Sequence, residues 1–146
     1  MTPFGEKLRA MRADRGITQG ELADALRVSS AYLSALEHGK RGRPTYDLVQ
    51  RIIGYFNVIW DDAEELQRLA ALSDPRVTID TAGLPPKATL VANEMAERIA
   101  YLDDATLDRA LVLLEVGTGK ESRRKLTRRE RLIKSRREKL QARGEL

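Results

Sequence analysis

The stretch that most constrains this chain runs from Thr18 to Gly39 and reads ITQGELADALRVSSAYLSALEHG with Ile17 included. Thr18-Gln19-Gly20-Glu21 is a helix-start signature in which a hydroxyl and a carboxylate cap each other's backbone N–H groups. A short helix follows, with Leu22, Ala23 and Leu26 on one face. After a break at Arg27-Val28, Ser29 or Ser30 caps a second helix whose buried side carries Leu33 and Leu36. Gly39 then stops it, because glycine takes a left-handed backbone without a Cβ penalty.

Two short helices joined by a tight turn, the second opening on small polar residues, form a helix-turn-helix. The residues resemble those of the Cro/cI-type (XRE) helix-turn-helix family. The carriers are Thr18-Gln19, Leu22-Ala23, Val28-Ser29, Tyr32-Leu33-Ser34, Glu37-His38-Gly39-Lys40 and Arg43-Pro44, in that order. The resemblance covers about residues 1–73 and implies a five-helix, lambda-repressor-like domain. One position departs from the pattern. Where the family usually has glycine in the turn, this chain has Arg27, which at positive φ costs about 1–2 kcal/mol.

The resemblance also implies a partner and a contact set. Duplex DNA presents its base edges in the major groove, where an α-helix fits. By match to the family, Ser29, Ser30, Ala31, Ser34 and Ala35 point into that groove, with Tyr32 at its edge. The set is short and weakly polar. Serine donates or accepts almost indiscriminately, and alanine offers only contact with a thymine methyl. Discrimination from these side chains alone is therefore modest, and DNA shape or neighbouring contacts must add to it. Gln19 is implied to contact phosphate through its side chain and the helix N-terminus. The compact basic loop Lys40-Arg41-Gly42-Arg43-Pro44 is read as a phosphate contact through Lys40, Arg41 and Arg43. Arg12 and Glu37 are implied to form an ion bridge that supports the site.

The rest of the chain reads as helical. Thr2-Pro3 opens a first helix carrying Phe4, Leu8 and Met11, and Gly16 ends it. Thr45 caps a helix over Tyr46–Phe56, whose Leu48, Val49, Ile52, Ile53 and Phe56 close the core. A fifth helix begins near Asp61, with Asp61 and Asp62 read as caps, and ends before Pro75. It shows a stripe of Ile59, Ala63, Leu66 and Ala70, and Trp60 is read as a core or staple residue. Residues 74–87 form a linker, and residues 73–87 hold three of the five prolines, with weak strand character at Val77-Thr78-Ile79.

A helical hairpin over 88–116 comes next. Ala88, Val91, Ala92, Met95, Ile99 and Leu102 recur at helical spacing, and Asp103 or Asp104 caps a helix bearing Leu107, Ala110, Leu111 and Leu114. About thirty residues are too few to be stable alone, so the hairpin is read as a dimerisation element. Gly117-Thr118-Gly119 opens a tail over 117–146 in which Leu126, Ile133 and Leu140 repeat at seven without apolar companions. The fold class is all-α: a five-helix domain, a helical hairpin, and a basic tail that is helical or disordered.

Charge divides the chain the same way. Residues 1–57 carry 9 Lys/Arg against 6 Asp/Glu, residues 58–119 carry 5 against 12, and residues 120–146 carry 12 against 4. The basic segments suit a polyanionic partner and the acidic middle does not. The chain has no cysteine and one histidine, His38, which is read as helping to close the second helix of the motif. No metal, no cofactor and no catalytic constellation is expected. No apolar run reaches the length of a membrane span, and the N-terminus lacks a signal-peptide block, which gives a cytoplasmic, nucleoid-associated reading. The expected function is a sequence-specific DNA-binding regulator of transcription, a repressor, acting as a homodimer on a palindromic operator in double-stranded DNA. Two rivals stand beside it. One is an antitoxin-type protein-interaction module that binds a protein partner through 88–116 and also binds DNA. The other is a non-specific architectural protein driven by the tail.

Overall fold

The computed structural model describes residues 1–118 and 139–144. Among them every regular element is helical. In order these are α1 (Pro3–Arg15), α2 (Gln19–Leu26), α3 (Ser30–Glu37), α4 (Tyr46–Phe56), α5 (Trp60–Ala71), α6 (Pro86–Arg98), a one-turn 3-10 helix (Ile99–Tyr101) and α7 (Asp104–Gly117). Val77-Thr78-Ile79 is not a strand. Among the described residues the chain divides into two compact units, residues 1–77 with 139–144, and residues 78–118. The tail reading over 117–146 falls largely outside the described residues.

Local chemistry sets most of the helix boundaries in the first unit. The hydroxyls of Thr2, Thr18, Ser29 and Thr45 each accept a bond from the backbone N–H three residues on, at 3.1, 3.2, 3.0 and 3.2 Å. Each thereby satisfies one of the donors that a helix start leaves without an intrahelical partner. α5 is different. It has no side-chain cap, and Asp61 and Asp62 lie inside its first turn, where carboxylates suit the helix dipole but do not cap.

The five helices enclose one core. Phe4, Leu8, Leu22, Leu26, Leu33, Leu48, Ile52 and Leu66 are essentially inaccessible. α1 packs on α3 and α5, α2 on α3 and α4, and α4 on α5. Two contacts far apart in sequence close the bundle. The α1 backbone N–H of Phe4 donates to the buried hydroxyl of Ser73 at 2.9 Å, while that hydroxyl donates to the Leu69 carbonyl. Ser73 thus ties the chain just beyond α5 to the first turn of α1. At Gly5, an added Cβ would stand 2.3 Å from the Glu37 carbonyl oxygen, so only glycine permits the α1–α3 approach.

One reading is corrected here. Trp60 is 82% exposed and Ile59 is exposed as well, so neither belongs to the core or to a staple. The buried face of α5 is set by Leu66 and Ala70. At roughly 100° per residue, Trp60 falls about 240° around the helix from Leu66, off that face. Ile59 precedes the helix in an extended conformation and leaves the stripe.

In the second unit, α6 and α7 follow the apolar spacing, and Asp103 caps α7 by accepting from the Thr106 N–H at 2.8 Å. The Thr106 hydroxyl and, after it, that backbone bond hold the exposed Asp103 carboxyl below its usual range. Neither helix contains a buried residue.

Arg27 sits at φ 56°, ψ 43°, in the left-handed region the turn requires. Arg27→Gly removes the Cβ penalty but adds unfolded-state freedom, so the net gain is about 0.5–1 kcal/mol. Ser73→Ala leaves the buried Phe4 N–H without its acceptor and costs about 1–3 kcal/mol. Urea denaturation midpoints moving in these opposite directions are the expected result.

Candidate nucleic-acid interface

The interface is built on the way α3 is held. Glu37, at its last turn, is 2% exposed, and its carboxylate receives three bonds. Arg12 donates from Nε to Oε1 at 2.8 Å and from Nη2 to Oε2 at 3.1 Å, a two-pronged pairing. Gln19 donates from Nε2 to Oε2 at 3.1 Å, and Arg12 Nη1 reaches the Ile17 carbonyl at 3.3 Å. One carboxylate therefore locks α1, the loop before α2, the start of α2 and the end of α3 together. The Arg12–Glu37 bridge implied by the resemblance is present.

Pinned at its C-terminal end, α3 turns its N-terminal end outward. Ser29, Ser30 and Ala31 are exposed, and Tyr32, Ser34 and Ala35 are half-buried. The Ser29 hydroxyl is engaged as the α3 cap. A Cβ at Gly20 would lie 4.0 Å from the Ser30 hydroxyl, so the start of α2 approaches the start of α3 at a position without a side chain. Two helix N-termini, each with outward N–H groups and a positive dipole end, are thus brought side by side. At the start of α2, the Thr18 N–H and hydroxyl both donate to the Glu21 carboxylate, at 2.6 and 2.8 Å. Those bonds hold the Glu21 carboxyl below its usual range.

The basic loop leaves from the far end of α3. His38 closes the helix, its Nδ1 lying 2.8 Å from the Ser34 carbonyl oxygen, and the Lys40 N–H donates to the Ala35 carbonyl at 2.8 Å. Gly39 follows at φ 70°. Lys40, Arg41 and Arg43 are all exposed. The Arg41 guanidinium stands 5.7 Å from the centroid of the Tyr32 ring, a cation–π contact that ties the loop to α3. Among the candidate contacts, Gln19 donates one of its side-chain amide N–H groups to Glu37, as the Ser29 hydroxyl caps α3. No group of three or more His, Asp or Glu side chains suited to a metal occurs among the described residues.

Residues 3–72 match the family described as helix-turn-helix domain, and this N-terminal domain belongs to it, as a member of the Cro/cI (XRE) type. Two curated proteins of Bacillus subtilis (strain 168) are similar to it. The HTH-type transcriptional regulator RghRB is 36% identical over 62 residues, spanning 42% of this chain and 45% of that protein. The HTH-type transcriptional repressor RghR is 42% identical over 52 residues, spanning 36% of this chain and 38% of that protein. The chain thus matches less than half the length of either relative. No solved structure matches it.

Glu37→Ala leaves Arg12 and the Gln19 amide in a nearly dry site without their acceptor, and a loss of about 3–5 kcal/mol is expected. Asp47→Ala, which removes an exposed partner of Arg51, changes stability by no more than about 1 kcal/mol. Paired thermal melts measure both, and comparable losses would show that Glu37 does not organise the motif.

Proposed function

We propose that the chain is a sequence-specific DNA-binding regulator of transcription, a repressor, that acts from the cytoplasm as a homodimer on a palindromic operator. The observation that carries this reading is the outward N-terminal end of α3, anchored by buried Glu37 and flanked by Lys40, Arg41 and Arg43. The repressor assignment draws support from the name of RghR, a transcriptional repressor 42% identical over 52 residues.

In this reading the N-terminal residues of α3 enter the major groove. Ser30 and Ala31 meet base edges, and Tyr32, Ser34 and Ala35 border them. Ser29 faces the backbone while capping the helix. Gln19 meets phosphate through its backbone N–H at the start of α2 and through its side-chain amide, which donates one N–H to Glu37 and keeps a second. Arg41, held against Tyr32, lies beside the same strand. Lys40, Arg41 and Arg43 supply affinity rather than sequence information, since phosphates are alike along the duplex. The short side chains of α3 leave much of the discrimination to DNA shape. The chemistry is binding, and no catalytic step is assigned.

Selection of binding sites from a random duplex pool by the full chain tests this. An inverted repeat with half-sites about 34 Å apart is the expected product. Ala31→Asp, which sets a carboxylate against the groove, should abolish enrichment. Arg41→Ala should weaken binding alike on all sites and make the salt dependence shallower by about one phosphate contact. If the pool yields no motif, α3 is not the reader.

A further inference from the structure

Among the described residues, the C-terminal half of α7 stands exposed. Leu111, Val112, Leu113, Leu114 and Val116 are 57–72% exposed. Successive helix residues are set about 100° apart, so these five point in every direction around the axis. A helix that is apolar all round is one that belongs in an interior. Yet the unit that contains it has none: its better-covered apolar residues, such as Ala92, Met95 and Leu107, are only half-buried, and no residue of α6 or α7 is buried.

We infer that the missing interior is supplied by a second copy of this chain, whose α7 packs through the same 111–116 segment. Three observations select that occupant. The first is area. Leu90, Val91 and Ile99 of the same unit are also 50–61% exposed, and with the five α7 residues they make eight. At on the order of 100 Å² each they expose roughly 800 Å² in all, an amount of uncovered apolar surface that marks a protein–protein contact and not a solvated face. The second is charge. Glu115 is the only charged residue between Ala110 and Gly117, so neither a phosphate backbone nor the chain's own tail, with 12 Lys/Arg over 120–146, is matched to this face. The third is self-complementarity. A two-fold pairing sets a patch against itself, which an uncharged apolar surface satisfies and a charged one does not. The acidic residues Asp104 and Asp108 lie in the other half of α7, clear of the segment.

This pairing gives the homodimer of the proposed function its surface, and rests on that reading only for the dimer, not for DNA recognition. It is tested without DNA. Sedimentation equilibrium of the full chain should give twice the 16.4 kDa chain mass. Leu111→Asp with Leu114→Asp should raise the dimer dissociation constant by at least about 100-fold, while Leu72→Asp, on an exposed apolar residue of the first unit, should leave it unchanged. Because aspartates could also unravel α7, a second measurement keeps the helix intact. The chain has no cysteine, so Leu111→Cys, Leu113→Cys and Leu114→Cys each introduce a single thiol. A short bismaleimide should link two chains at one or more of these positions and not at Leu72→Cys. A wild-type chain that sediments as a monomer, or thiols at all three α7 positions that fail to cross-link in preference to position 72, overturns the pairing. The first of these results would leave the segment to a foreign protein. A dimeric chain that selects no DNA motif would overturn the DNA reading alone.

Discussion

The buried Glu37 carboxylate is the interaction on which the N-terminal domain depends. Its three hydrogen bonds come from α1 and α2, while its own helix is the one that must project. An ionised group this deep is tolerated only when its desolvation is met by well-directed donors, and the two-pronged Arg12 contact with the Gln19 amide meets it. Its backbone is held as well, because Gly5 lets α1 approach the Glu37 carbonyl. Side chain and main chain of one residue thus fix the orientation of α3. The projecting serines and alanines at its other end are short, and their usefulness comes from the rigidity of the helix behind them.

Arginine recurs as the means by which helix ends are joined. Arg12 reaches the Ile17 carbonyl, Arg15 the Phe56 carbonyl at 2.6 Å, and Arg51 the Leu26 carbonyl. Arg15 also lies 5.3 Å from the Phe56 ring centroid. The last two contacts place a positive charge at the carbonyl end of α4 and of α2, where the dipole favours it. Three of the nine Lys/Arg of residues 1–57 therefore serve the fold, and six remain for the surface. Three of those six, Lys40, Arg41 and Arg43, lie in the one loop after α3.

What could be read from the sequence was local. The caps at Thr2, Thr18, Ser29, Thr45 and Asp103 act over three residues, so spacing reveals them. The left-handed turn at Arg27 and the Arg12–Glu37 bridge were legible through family resemblance, since the residues that need them stand in a fixed order. Contacts between distant positions gave no such sign. Ser73 holds Phe4 across 69 positions, and nothing next to Ser73 distinguishes it from a loop serine. Gln19 donates to Glu37 across 18 positions, a bond with no local sign in the sequence. Trp60 looked buried because size and hydrophobicity suggest a core, but its angular place on α5 puts it outside.

The second unit shows the limit of periodicity from the other side. Apolar residues at helical spacing established that α6 and α7 have apolar faces, and the helices form where that spacing puts them. Spacing is a property of one helix, whereas burial is a property of two surfaces. Leu107 and Leu114 are a heptad apart and share a face, yet the first is half-buried and the second 67% exposed. The difference lies in what stands opposite each one. Beyond Ala110 the apolar residues cease to keep to one side, and a one-sided stripe gives way to a segment whose residues are all apolar except Glu115. No antiparallel neighbour of the same hairpin could cover every side of such a segment. Its sequence therefore encodes more contact than a single antiparallel neighbour can supply.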